Sequence, residues 1–220
     1  MKVLLVGSEG SIGQRYKAIL NYLKVPFFTY DVKTDRRNVL YKEYSHLIVA
    51  TPTYTHLDIA QAIPKDVFAL IEKPIVTKEK DLLTLEKALH PRIFQVNQYA
   101  YIPGINGDGE TYYNFFRTGS DGILFDCITL IYLAKSIINL GNTSPFWQCK
   151  INGRDILYQS LEQSYVNMIK DFLGKREFLW NEENIIKAHK AVFDLASNYK
   201  KTNMIKLTDP NLLITSREVH

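Results

Sequence analysis

The chain is short of cysteine, of long apolar runs and of concentrated charge, and each shortage closes off a class of protein. Only two cysteines, Cys127 and Cys149, occur in 220 residues. They have no metal-ligand spacing and are too few for a disulfide framework, so a reducing cytoplasm is the expected setting and no metal is expected. No apolar stretch is long enough to span a bilayer, and the first residues lack the basic, apolar and small-residue succession of a secretory leader, so neither membrane nor leader is expected. Basic residues are scattered, with no stripe interleaved with aromatics, which argues against a nucleic-acid partner. Internal repeats, low-complexity tracts and long linkers are missing too. What remains is an ordinary globular composition, 46% hydrophobic and 23% charged, with room for one large domain or two small ones. The net charge of +4 suits anionic ligands.

Apolar patterning through the first ninety-odd residues alternates between strand and helix. It predicts strands at 2–7, 27–31, 46–50, 67–72 and 92–97, and helices at 11–24, 55–63 and 78–89. Such alternation implies an α/β fold, a Rossmann-type doubly wound parallel sheet, here followed by a small α+β domain. The stretch 33–45 is too short and too charged for a confident helix, so an abbreviated crossover is expected there. Thr55 with Asp58, and Asn181 before Glu182 and Glu183, read as capping-box-like helix starts. Gly104 to Gly109 is the most obvious loop.

The first strand breaks into Gly7-Ser8-Glu9-Gly10-Ser11-Ile12-Gly13 just before the first helical pattern. A strand that reverses tightly, admits a phosphate to its backbone and lets a helix pack close needs glycine at each task. The helix that follows points its unsatisfied N–H groups and positive dipole end at the same place, where a pyrophosphate would sit on Gly7, Ser8, Gly10, Ser11, Ile12 and Gly13. The spacing is G-x-x-G-x-x-G, one residue longer than the commonest dinucleotide fingerprint, and a glycine turn closing an ordinary βα unit is the plainer account. Asp31 ends the second strand at the distance where a carboxylate accepts hydrogen bonds from adenosine ribose hydroxyls, which favours NAD. Lys33, Arg36 and Arg37 lie just beyond and suit the 2′-phosphate of NADP, and a mixed-charge surface turn is the plain alternative.

Val6-Gly7, Gly10-Ser11-Ile12-Gly13-Gln14-Arg15, then Ile48-Val49-Ala50-Thr51-Pro52-Thr53-Tyr54-Thr55-His56, then Ile71-Glu72-Lys73-Pro74, resemble the Gfo/Idh/MocA family of NAD(P)-dependent oxidoreductases in order and spacing. The resemblance covers the N-terminal half and implies a dinucleotide-binding domain over 1–96. It further implies that Thr51, Pro52 and Thr53 bring backbone to the cofactor ribose, that Glu72 contacts the nicotinamide-side ribose, that Lys73 lies beside the reacting carbon, and that Asn97 orients the nicotinamide carboxamide. His56 packs either on the cofactor or on its own helix. Lys73 also has a rationale of its own: hydride transfer at a carbonyl needs a proton moved at the same oxygen, and an ammonium at the carboxyl edge of the sheet polarises that oxygen.

Residues 97–220 depart from the pattern. The family's catalytic helix carries Asp-x-Gly-x-His, and the matching stretch, Gly122 to Leu130, keeps Asp126 but has Ile128 and Leu130 in the glycine and histidine positions. Asp126 is the second catalytic candidate; its plain account is the N-terminal residue of an apolar core helix with Ile128, Leu130, Ile131, Leu133, Ala134 and Ile137. Only about 120 residues remain for the family's large sheet, so a shortened substrate or oligomerisation domain is expected, with strands at 111–116, 123–126 and 146–151. A helix over 182–199 is expected to pack back on the first domain, with His189 on its apolar stripe as a core residue. Tyr99 and Tyr101, at strand alternation, are unselective candidates for a proton donor, and the cluster Tyr112, Tyr113, Phe115, Phe116 and Arg117 either stacks on a sugar ring or a base or simply fills a small sheet's core. Two functions follow from the resemblance: an oxidoreductase on a small carbonyl, sugar-like or conjugated substrate, or a catalytically idle dinucleotide-binding sensor or scaffold. A homo-oligomer fits either.

Overall fold

The computed structural model describes residues 1–32, 40–102, 110–114, 128, 136–139, 148–151, 154–155, 158–199 and 205–206. The chain divides into two compact units, Met1–Val96 with Ile169–Ile186, and Asn97–Met168 with Lys187–His220.

In the first unit, continuous apolar runs become strands buried on both faces. β1 (Val3–Val6), β3 (His46–Val49) and β4 (Phe68–Ile71) join β2 (Phe27–Tyr30) and β5 (Ile93–Gln95) in a parallel sheet of order β2-β1-β3-β4-β5. Val3, Leu4, Leu5, Leu47, Ile48, Val49, Ala69, Leu70 and Ile71 are buried, the composition of a sheet covered on both sides. Strand order reverses between β1 and β3. In open α/β sheets a crevice opens at such a point, beyond the carboxyl ends of the strands. Ladder bonds run one residue past each strand: the N–H of Gly7 donates to Tyr30 O at 2.8 Å, of Ala50 to Val6 O at 2.8 Å, of Glu72 to Val49 O at 2.9 Å and of Val96 to Ile71 O at 2.9 Å. Gly7, Ala50, Glu72 and Val96 therefore form one row along the carboxyl edge.

Helices α1 (Ser11–Tyr22), α2 (His56–Ala62) and α3 (Leu82–Ala88) form in the expected order, α3 starting four residues after the expected 78 because a 3₁₀ turn over Glu79–Asp81 precedes it. Helix α1 buries Gly13, Tyr16, Ile19 and Leu20. It stops two residues before the expected Lys24, which turns left-handed at φ 55 while its N–H bonds to Asn21 O and that of Val25 to Leu20 O. The capping box expected at Thr55 does not form. A 3₁₀ turn over Thr53–Thr55 leads into α2, so Thr55 already has helical φ and ψ, and its hydroxyl turns back to Thr51 Oγ1 at 2.7 Å and Pro52 O at 2.8 Å. Asn181 does cap: its Oδ1 accepts the Asn184 N–H at 3.0 Å, and Asn184 Oδ1 accepts the Asn181 N–H at 3.3 Å.

Residues 169–186 complete this unit. Phe172 sets its ring edge against His46 and Phe94, Trp180 bridges to Gln95, and Arg176 lays its guanidinium 4.0 Å from the Phe68 ring centre. His46 stacks on the Phe68 ring, with Nε2 3.5 Å from Arg176 Nη1 and Nδ1 3.0 Å from Ser45 Oγ. Burial, helped by the Arg176 charge and the chain's amino terminus, lowers the His46 pKa from 6.5 to about 4. The unfolded chain therefore takes up this proton first as the pH drops. Stability from the neutral ring is complete above pH 6.5 and is lost as the pH falls through 4. Partial solvent screening discounts the full linkage term to about 2 kcal/mol. Thermal melting between pH 7 and 4 is expected to show that loss and to show a flatter profile in His46→Gln; superimposable profiles would refute the assignment.

In the second unit the described strands are β6 (Glu110–Asn114), β7 (Ser136–Asn139), β8 (Gln148–Ile151), β9 (Arg154–Asp155) and β10 (Ile205–Lys206), in the order β10-β7-β6-β8-β9. The β6 and β7 pair is parallel and the others antiparallel, so the sheet is mixed. Ile137 belongs to β7, paired with Thr111 and Ile205, and not to a core helix from Asp126. Its β-branched neighbour Ile138 favours a pleated strand. The expected strand at 123–126 and the loop 104–109 lie outside the described residues. Helices α4 (Tyr158–Leu173) and α5 (Glu182–Tyr199) follow, with residues of each in both units. None of the described helices is long and apolar enough to cross a membrane.

Candidate dinucleotide site

The turn after β1 is built on glycines that do different jobs. Gly7 sits at φ 83, and a side chain there would lie 2.7 Å from the Ala50 carbonyl carbon and oxygen. At Gly13 a Cβ would overlap the Gly7 carbonyl oxygen and approach Ser8 backbone atoms at 2.8 and 2.9 Å. These two glycines are demanded by backbone meeting backbone. Gly10 is different. A Cβ there meets nothing closer than 3.8 Å, so the protein itself leaves room for a side chain at this position.

Gly10 is also the N-cap of α1, with extended backbone, no side chain to cap the helix and no acidic residue in the first turn. The opening amides of Ser11, Ile12 and Gly13 are then without the side-chain cap that would neutralise the helix end. Asp31 is buried beside this loop and its Oδ2 accepts the Glu9 N–H at 3.0 Å, fixing the second strand's carboxylate against the glycine turn. Glu9 is held within its own stretch of chain. Its Oε1 accepts from Lys17 Nζ at 2.6 Å and Ser8 Oγ at 3.0 Å, and the Lys17 bond chiefly holds its pKa below the ordinary carboxylate value.

The turns after β3 and β4 are tied together. His56, buried, places Nε2 at 2.8 Å from Thr51 O and Nδ1 at 2.9 Å from Pro74 O. It joins the two turns rather than resting on its own helix, and it donates to both carbonyls only when the ring carries both protons. Thr51 is half-buried, Pro52 exposed and Thr53 half-buried. Glu72 is buried, with Oε1 accepting from the Tyr16 hydroxyl at 2.7 Å and Oε2 from the Lys73 N–H at 3.2 Å. Lys73 follows at the strand end, half-buried. Gly7, Ser8, Gly10, Ser11, Ile12, Gly13, Asp31, Thr51, Glu72 and Lys73 thus share the carboxyl end of one sheet.

Asn97 opens the second unit, fully buried, and Tyr99 and Tyr101 follow on a 3₁₀ turn over Gln98–Tyr101 instead of the expected strand alternation. His189 is fully buried on α5, its ring 6.4 Å from that of Phe193, as expected of a core residue. Asp126, Leu130, Lys33, Arg36 and Arg37 lie outside the described residues. Tyr16 was legible only as one apolar position of α1. Its signal was a lone tyrosine in an aliphatic stripe, since a buried phenol seeks a partner.

The order of the parallel sheet, its flanking helices and the glycine turn at the reversal define a Rossmann-type α/β fold. No protein-family model and no curated protein matches this sequence. Solved structures do match in fold. The myo-inositol dehydrogenase of Corynebacterium glutamicum aligns over 95% of this chain and 99% of its own at 10% identity and a TM-score of 0.64. The WlbA (WbpB) dehydrogenase of Thermus thermophilus, in complex with NAD and UDP-GlcNAcA, aligns over 96% and 98% at 13% identity and 0.57. UDP-N-acetylglucosamine 3-dehydrogenase GnnA of Acidithiobacillus ferrooxidans aligns over 90% and 97% at 14% identity and 0.55. At such identities the likeness establishes the fold.

Proposed function

We propose that the chain is an NAD-dependent oxidoreductase of the Gfo/Idh/MocA type, acting on a small carbonyl, sugar-like or conjugated substrate. The observation that carries the reading is the pairing of an uncapped helix N-terminus behind Gly10 with Lys73 along the same sheet edge. The residues present fit a dinucleotide. The amides of Ser11 to Gly13 suit a pyrophosphate, Asp31 suits ribose hydroxyls and disfavours a 2′-phosphate, and Thr51, Pro52, Thr53 and Glu72 line the way toward Lys73. His56 holds the two turns on which those residues stand. Asn97 is assigned to the carboxamide and Asp126 to the substrate oxygen, in keeping with the resemblance. A bound nicotinamide supplies the hydride chemistry. Lys73 polarises the substrate oxygen and moves the proton there; by the resemblance, Leu130 stands where the family carries its catalytic histidine.

The solved dehydrogenases support this reading, since one is in complex with NAD and a UDP-sugar acid and others are named for inositol or a UDP-amino sugar. Leu130 favours a second reading, an idle dinucleotide-binding sensor or scaffold, because leucine transfers no proton. Titration of protein fluorescence with NADH and NADPH is expected to show NADH bound at least about tenfold tighter, a difference of roughly 1.4 kcal/mol or more. Turnover of NADH with a panel of aldehydes, keto-sugars and enones then separates the two readings. Tight binding with no turnover establishes the idle module, and no binding of either coenzyme refutes both.

A further inference from the structure

We propose that Tyr16 is a positioning residue for the reaction, holding in place, by way of the Glu72 carboxylate, the backbone that presents Lys73; the proposal rests on the oxidoreductase reading above. Tyr16 lies on the buried stripe of α1 with no exposed surface, among Gly13, Ile19 and Leu20. Packing alone asks for no hydroxyl there. The hydroxyl donates to Glu72 Oε1 at 2.7 Å, joining two residues 56 positions apart. A buried carboxylate needs such donors, since its charge has been taken out of water.

The second oxygen of the same carboxylate accepts the Lys73 N–H at 3.2 Å, while the Glu72 N–H is itself fixed by Val49 O at 2.9 Å. The side chain of Glu72 therefore folds forward over its own strand end and pins the next peptide. With Oε1 held by α1, the carboxylate is not at liberty to rotate, and the direction in which the chain leaves β4 is set. On the far side of Lys73 the Pro74 carbonyl is held by His56 at 2.9 Å. Lys73 is thus anchored before and behind, and the Tyr16 anchor can be cut by removing one oxygen without a change in side-chain shape.

Two readouts test this in the full chain. Amide hydrogen exchange is expected to quicken about tenfold at Lys73 in Tyr16→Phe, while the ladder amides of Ala50 and Val96 keep their wild-type rates. In turnover, Tyr16→Phe is expected to lower kcat about tenfold with KM for NADH changed less than about threefold, the split of a group that acts at the reacting centre and not on coenzyme binding. Glu72→Met, which keeps the length but removes both acceptor oxygens, should lower kcat at least as much, and the double variant should lose little more than Glu72→Met alone, because both cut the same tether. An unchanged Lys73 amide in Tyr16→Phe, or kcat losses that multiply in the double variant, would overturn the proposal. Should Tyr16→Phe unfold, Glu72→Met carries the exchange measurement on its own. A chain that binds no dinucleotide refutes the oxidoreductase reading instead, and the Lys73 amide then still decides whether the tether exists.

Discussion

Gly13→Ala is expected to abolish dinucleotide binding and to lower the melting temperature by several degrees. The added methyl would fall on the Gly7 carbonyl oxygen and within 2.8 and 2.9 Å of Ser8 backbone atoms, and none of these can swing away as a side-chain tip would. Relief requires α1 to move off the turn, which breaks the close packing of Tyr16, Ile19 and Leu20 and costs about 3 kcal/mol. The same movement carries the opening amides of α1 away from where a pyrophosphate would lie. Gly10→Ala provides the contrast. Its methyl meets nothing nearer than 3.8 Å, so melting should stay at the wild-type temperature while NADH affinity falls about tenfold or more. Thermal melting and NADH titration of the two variants side by side check the argument. Wild-type NADH affinity in Gly13→Ala would show that the turn is not the cofactor cradle.

Lys73→Met is expected to reduce kcat by about two to four orders of magnitude, the range for loss of a positioned acid or of an electrostatic stabiliser at a reacting oxygen. Methionine keeps the length and most of the apolar stem, so the half-buried strand end remains filled. Glu72 still accepts the backbone N–H of residue 73, since that bond does not involve the side chain. NADH binding should therefore stay within about threefold of wild type, placing the loss in the chemical step. Steady-state kinetics with the best substrate of the panel, beside an NADH titration, measure both. Equal turnover in Lys73→Met would remove Lys73 from the mechanism. Equal binding with no turnover in either protein would favour the idle module.

Much of the first unit was legible because each of its elements carries its own period. Val3 to Val6, Leu47 to Val49 and Phe68 to Ile71 are apolar on both faces, and runs of that kind bounded by turn residues read directly as strands of a covered parallel sheet. Helix ends were less readable. Lys24 closes α1 in a left-handed conformation that glycine more often adopts, so the pattern overran the true end. The box read at Thr55 failed because a 3₁₀ turn came first, and its hydroxyl was better satisfied by Thr51 and Pro52. In the second unit, Ile137 fitted a helical stripe as well as a strand, and only pairing with Thr111 and Ile205 chose between them.

The sequence by itself determined the order of strands and helices over residues 1–96, the three glycines of the first turn and the positions of Asp31 and Lys73, because local steric demands and apolar periodicity act on neighbours along the chain. Tertiary structure alone decided which glycines meet neighbouring backbone, Gly7 and Gly13, and which has open space around it, Gly10. It alone brought Tyr16 onto Glu72, His56 between Thr51 and Pro74, and Arg176 over Phe68. Tyr16 with Glu72 and Arg176 with Phe68 join residues far apart in the chain, and His56 ties down a turn beyond its own; each is specified by hydrogen-bond and packing requirements that no periodic signal along the sequence encodes.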